Sequence, residues 1–347
     1  TMATLGICLW NLRFTNNFMK VHSVLTIFST LCVLAYRIAT STLNFPFADI
    51  ATWDTVAIVS FFWASITAQF VIEILSYIGI FKWCGMNPTN QAKNQKFDYI
   101  KPKAKTEDYF YDSLVEEPWN LDDVKLNLAR SISHLMLNNM MLTIILLMRP
   151  HNVIMVPSIF FTCVLTSKCL DHKLLDTKRG RNTDIADVLS LTLSHLWIGA
   201  VFFFYQGNSN SLASVDLGSG YVGLREYCPV RVAARMGLHA YAGPALAGGT
   251  LFCTLTRTDS WARYRQSVWR ACNIFAFQRV YTLVIYSVIA IFFRHHLFVW
   301  SVFSPKLLYD FVGTVFTIQA INTILQIIVL THVTSWIAKV LTYKSKL

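Results

Sequence analysis

Residues 55–81 read TVAIVSFFWASITAQFVIEILSYIGIF, a run whose only charged side chain is Glu73. Roughly 20 mostly apolar residues suffice to cross the ~30 Å hydrocarbon layer of a bilayer, so this run is a membrane span. In lipid a lone segment must satisfy its own backbone hydrogen bonds, which makes it a helix. Working outward, runs of the same kind occupy about 21–37 before it and 131–148, 152–169, 186–205, 236–255, 271–293 and 309–336 after it. The expected fold class is therefore all-α, a polytopic transmembrane helix bundle of about eight spans with no soluble catalytic domain in this chain. The third and fourth spans form a hairpin turning at Arg149-Pro150-His151, and Gly243-Pro244 predicts a kink in the sixth.

Composition agrees. The 347 residues are 54% hydrophobic and only 14% charged, where a soluble domain would carry about a quarter charged residues. The formal net charge of +11 fits cytoplasmic loops beside anionic headgroups, and no soluble basic domain exists to bind nucleic acid. Eight scattered cysteines, with no CxxC or zinc-type spacing, read as reduced apolar core residues. The opening residues lack the features of a signal peptide and read as an internal beginning. Three regions follow: 1–81 with two spans, 82–130 as a cytoplasmic linker with a short surface helix near 121–130, and 131–347 as a membrane core of about six helices.

Sidedness comes from Lys and Arg. The loop after the fourth span holds Lys173, Lys178, Arg179 and Arg181, the loop after the sixth Arg257, Arg263, Arg265 and Arg270, and the tail Lys339, Lys344 and Lys346. With eight spans these three segments share one face, cytoplasmic by the positive-inside rule. Both termini are then cytoplasmic, and 206–228 and 294–308 lie on the lumenal or outer side.

Polar residues within spans are expensive and therefore informative. Glu73, His195 and Arg279 sit inside spans, and Arg231, Arg235 and His239 approach or enter the sixth. They line a polar cavity or pair with one another. Gln319, Asn322 and Gln326 share one face of the eighth span, as the lining of a polar groove or as interhelical hydrogen bonds. His295-His296 is a poor chelate, because neighbouring helical residues point about 100° apart. The aromatic, proline-interrupted stretch 297–306 reads as an interfacial or re-entrant element. No GxSxG, HExxH or phosphate-cradling glycine loop occurs.

Two stretches carry more. GNSNSLASVDLGSGYVGL at 207–224 and RHHLFVWSVFSPKLLYD at 294–310 closely resemble the C-terminal membrane domain of GPI ethanolamine phosphate transferases, the first in the wording of the type that modifies the second mannose. The resemblance is dense over 185–315 and thin over the first 130 residues. It implies an endoplasmic reticulum enzyme in which a lumenal alkaline-phosphatase-type domain, with a threonine nucleophile and two zinc ions, moves phosphoethanolamine from phosphatidylethanolamine onto a GPI mannose. That metal-binding domain is absent from this sequence, so no catalytic residue, metal ligand or cofactor carries over to it. What the resemblance implies here is presentation of phosphatidylethanolamine and the GPI precursor to a lumenal catalytic domain, with a small stabilising membrane subunit as a further partner. The candidate substrate contacts are Asn208, Asn210, Asp216, His295, His296, Trp300, Ser304 and Lys306, with Asp216 accepting from sugar hydroxyls and Lys306 facing a phosphate. Each has an alternative as a loop cap or interface anchor. A second reading is a transporter or lipid-translocating protein, with Glu73, His195, Arg279 and the Gln/Asn stripe along a pathway, though no internal repeat of the expected kind is evident.

Overall fold

A computed structural model describes residues 17–40, 54–78, 121–176, 185–208, 214–258 and 260–344. They form ten α-helices: α1 (Asn17–Thr40), α2 (Thr55–Ile78), α3 (Leu121–Leu147), α4 (Met155–Asp176), α5 (Ile185–Tyr205), the single turn α6 (Leu217–Gly220), α7 (Pro229–Ala240), α8 (Ala242–Leu255), α9 (Trp261–Phe292) and α10 (Leu297–Lys344). A 3₁₀ turn at Pro150–Asn152 joins α3 to α4. No strand occurs among the described residues. The all-α, multi-span class is as the sequence predicts. Among the described residues six helical stretches are long and apolar enough to cross a membrane: Lys20–Thr40, Thr55–Leu75, Pro150–Leu170, Ala186–Tyr205, Trp261–Phe292 and Phe303–Thr334. The other two expected spans are helical but atypical. Lys125 and Arg130 load the first turns of α3, and α8 has only 14 residues, about 21 Å of helix.

The helices α1 and α2 form a hairpin zipped by polar contacts. Ser29 Oγ and Ser65 Oγ lie 2.9 Å apart, Gln69 Nε2 donates to Ser29 Oγ at 3.4 Å, and His22 Nε2 meets Glu73 Oε2 at 3.0 Å. Their apolar faces (Val33, Ile58, Phe62) pack on Leu142 and Leu146 of α3. At the end of this hairpin Arg37 donates to the carbonyls of Ile145 (2.6 Å) and Met148, where the carbonyls of α3 have run out of helical donors.

The central helix is α8. It packs against α5 so closely that a Cβ on Gly199 would stand 2.9 Å from Pro244 Cα, and one on Gly243 would stand 3.0 Å from the Gly199 carbonyl. Small residues permit such backbone approach between membrane helices. Leu246, Ala247 and Cys253 of α8 join Ile144 of α3, Met148 just after it, and Ile159 and Cys163 of α4 in one core. At the far end Leu251 and Leu255 pack with Leu126 and Ala129 of α3 and with Trp261, Tyr264 and Val268 of α9. Residues 121–130 are thus the beginning of α3, with Leu126, Leu128 and Ala129 buried and Asp122 exposed, rather than a separate surface helix. The rest of the expected linker, 82–120, lies outside the described residues.

Two further boundaries differ from expectation. The helix α9 starts ten residues earlier than its apolar run, because Ser260 accepts from the Arg263 backbone N–H at 3.4 Å while Trp261, Tyr264 and Val268 turn inward and Arg263 and Arg265 stay exposed. A span reading based on charge stops at those arginines. Likewise 297–306 is not re-entrant. It is the first part of α10, which runs through Pro305; one missing N–H removes a single hydrogen bond and does not end a membrane helix.

Candidate functional site

The chain breaks between α7 and α8, at Tyr241 (φ −98°, ψ 22°). Pro244 accounts for the position. It has no N–H for the Ala240 carbonyl four residues earlier, so the break falls three residues before the predicted Gly-Pro kink. Asn208 fills the gap: its side-chain amide donates to the Ala240 carbonyl at 3.0 Å. Beside it, Gln206 Nε2 donates to the His239 carbonyl at 2.8 Å. Both side chains are buried, so the loop leaving α5 is fastened to the broken helix by two amides standing in for backbone donors.

The following loop is held by charge and by glycine. Asp216 caps α6 by accepting from Gly218 N at 3.2 Å and forms a two-point ion pair with Arg149, Nε to Oδ2 at 3.0 Å and Nη2 to Oδ1 at 3.2 Å. The Arg149 guanidinium holds the Asp216 carboxyl below the usual carboxylate range. This ties the α3–α4 turn to the α5–α7 loop. Arg225 pairs with Asp54 at the start of α2, and Arg235 donates to the Val222 carbonyl. Gly223 sits at φ +66°, and a Cβ there would lie 2.5 Å from Val59. Glycine alone lets this backbone rest on α2.

Around the break lies an aromatic knot. Phe203 stacks on Tyr241 with centroids 5.8 Å apart and meets Tyr309 edge-on at 5.9 Å. Tyr241 donates its hydroxyl to the Tyr309 carbonyl at 3.1 Å. Val215 and Phe316 pack against the same group, and Arg279 lies over the Tyr241 ring at 5.7 Å. Val215 comes from the first motif stretch and Tyr309 from the second, so the two meet here, at one end of the bundle. Four polar atoms at the knot are buried without a hydrogen-bond partner: Gln206 Oε1, His239 Nδ1, Tyr309 Oη and Asp310 Oδ2. Buried polar groups are nearly always satisfied in native proteins, so these four leave hydrogen-bonding capacity for a polar ligand or ordered water.

The predicted contacts divide. Asn208 and Asp216 are engaged as described, and Asn210 lies outside the described residues. In the second stretch His295 and His296 are exposed at the α9–α10 turn, with Arg294 Nε donating to His295 Nε2 at 3.1 Å. Trp300 donates from its indole to the Arg294 carbonyl at 2.7 Å. Ser304 is exposed, and Lys306 Nζ lies 4.2 Å from the centre of the Tyr286 ring. The helix α9 runs about 20 Å from Arg279 to Phe292, so this turn stands well beyond the knot. Gln206, Tyr241, Tyr309 and Asp310 are site residues that sequence reasoning does not single out. The sequence signal nearest to them is Pro244, which leaves the Ala240 carbonyl without its helical donor and so marks the break they surround.

Glu73, His195 and Arg279 line no common path. Glu73 faces His22, His195 Nδ1 faces the Leu191 carbonyl at 2.8 Å, and Arg279 lies on Tyr241. Gln319, Asn322 and Gln326 are all exposed on the outer face of α10. Among the described residues no three His, Cys, Asp or Glu side chains come together as metal ligands.

The profile of the GPI ethanolamine phosphate transferase membrane region matches residues 121–335. The chain belongs to that family. The matched span holds all of α3 to α9 and most of α10, including the knot and both motif stretches. The chain is 36% identical over 165 residues to human GPI ethanolamine phosphate transferase 2, catalytic subunit, covering 48% of this chain and 16% of that protein. It is 34% identical over 160 residues to GPI ethanolamine phosphate transferase 2 of Yarrowia lipolytica (40% and 18%), and 37% identical over 110 residues to that of Schizosaccharomyces pombe (32% and 13%). The aligned stretch is thus less than a fifth of each relative. No solved structure matches the chain.

Proposed function

We propose that this chain is the lipid-presenting membrane part of a GPI ethanolamine phosphate transferase of the second-mannose type. In this reading it holds the GPI precursor and phosphatidylethanolamine for a lumenal catalytic unit, which carries two zinc ions and transfers phosphoethanolamine to a GPI mannose in the endoplasmic reticulum. Both termini of this chain are cytoplasmic, and 207–224 and 294–310 are lumenal. The observation that carries the reading is the meeting of those two stretches at a proline-made helix break, ringed by Gln206, His239 and Asp310 with unpaired buried atoms, inside the span that matches the family.

Asp310 and His239 offer hydrogen-bonding atoms to the hydroxyls of a sugar or the amine of a headgroup, while the exposed His295, His296 and Ser304 and the half-buried Lys306 lie farther out, toward the catalytic unit. The outward Gln319, Asn322 and Gln326 stripe supports a neighbouring membrane subunit, since amides on an apolar helix surface are best satisfied by another helix. The test is transfer of labelled phosphoethanolamine to GPI precursors by microsomes carrying full-length enzyme. Asp310→Asn and His239→Phe should lower transfer at least tenfold at unchanged protein level, an effect of about 1.4 kcal/mol. Wild-type transfer in both variants contradicts the reading.

A further inference from the structure

A second feature lies on the other side of α7 from the knot. Arg231, Ala234, Arg235 and Leu238 fall at i, i+3, i+4 and i+7, on one face of the helix. They line an open groove of about 540 Å³. Its other walls are Val59 and Trp63 of α2 and Leu147 of α3, with Gly223 at its rim.

The charges at its mouth are unbalanced. Arg231 acts on Arg235 as a like charge, and Arg235 also lies within electrostatic reach of Tyr36, as does Arg37. Among the described residues the ion pairs are His22–Glu73, Lys125–Asp122, Arg149–Asp216 and Arg225–Asp54. None of these carboxylates serves Arg231 or Arg235. Like charges four residues apart on a helix destabilise it, and an anion between them reverses the sign. Guanidinium groups bind phosphate oxygens in a two-point geometry. The neighbouring exposed pairs Arg149–Asp216 and Arg225–Asp54 put this mouth at the polar edge of the bundle, with apolar walls leading inward.

We propose that the groove between α2, α3 and α7 binds an anionic glycerophospholipid, its phosphate held by Arg231 and Arg235 and an acyl chain lying between Trp63 and Leu238. The occupant carries net negative charge, because the ammonium of a zwitterionic headgroup would add a cation to a cluster already rich in them. The site is therefore separate from that of the phosphatidylethanolamine donor, and it does not depend on the transferase reading.

The test uses full-length protein extracted from vesicles of equal parts phosphatidylglycerol and phosphatidylethanolamine, with retained lipid counted by native mass spectrometry. Wild type should retain phosphatidylglycerol preferentially. Arg231→Gln should lower that retention about 5-fold, the equivalent of ~1 kcal/mol for one basic residue beside anionic lipid. Ala234→Trp fills the groove without removing charge and should lower retention at least as much. Residues 231 and 234 are both exposed, so folding should survive, and Arg231→Lys should restore most of the binding. Loss in both variants supports the site. Equal retention of the two lipids by wild type, or undiminished phosphatidylglycerol in either variant, overturns it. Phosphoethanolamine transfer is read separately, so failure here leaves the transferase reading intact.

Discussion

The two stretches that carry the family resemblance are built in opposite ways. The first, 207–224, is fastened at four points: Asn208 to the Ala240 carbonyl, Asp216 to Arg149, Gly220 against Val232 and Met236, and Gly223 on Val59. The second, 294–310, enters the aromatic knot at its far end through Tyr309 and meets the Tyr286 ring through Lys306, while its near end stands exposed around His295, His296 and Trp300. Distinctive wording in a sequence thus marks two different demands. One stretch is constrained by the bundle it must hold closed. The other is open to contacts that the bundle does not supply.

Substitutions should separate these demands by their effect on stability. Gly223→Val combines a left-handed backbone with a direct collision at Val59, and should cost about 3 kcal/mol, read as a large fall in Tm of the detergent-solubilised protein. Asn208→Ala leaves the Ala240 carbonyl buried and unpaired and should cost about 2 kcal/mol, with Asn208→Asp no better because a carboxylate cannot donate. The Arg149–Asp216 pair should show a coupling of at most about 1 kcal/mol in a double-mutant cycle, since the Arg149 side chain is 61% exposed, and salt should weaken it. Its pH dependence has a definite sign. The folded pKa of Asp216 is depressed, so its contribution is fully present above the unfolded value near pH 4 and is lost as pH falls through the lower folded pKa. Replacing His295 and His296 together by Ala should change stability by less than about 0.5 kcal/mol. A transfer defect in that variant would place the histidines among the outward contacts, and a stability loss as large as that of Asn208→Ala would erase the contrast between the stretches.

Hydropathy was enough to read the all-α membrane class and the rough position of the long described helices, though not α6 or the start of α7, because burial in lipid demands long apolar runs. It failed where a helix leaves that requirement. Arg263 and Arg265 hid the first turns of α9, which are held by the buried Trp261 and Tyr264, and Pro305 suggested an interruption that one lost donor does not produce. The kink near Pro244 was legible; its partner was not, because Asn208 reaches Ala240 only through the close packing of Gly199 on α8. The outward direction of Gln319, Asn322 and Gln326 was also hidden, since periodicity shows that residues share a face but not what that face meets.

The central claim is that both stretches occupy one side of the membrane and meet at the α7–α8 break. Epitopes inserted after Leu212 and after His296, probed by antibody in intact and in fully permeabilised microsomes, test it directly. Both should be protected while the membrane is intact and both should become accessible when it is opened. One epitope exposed and the other protected would contradict the arrangement.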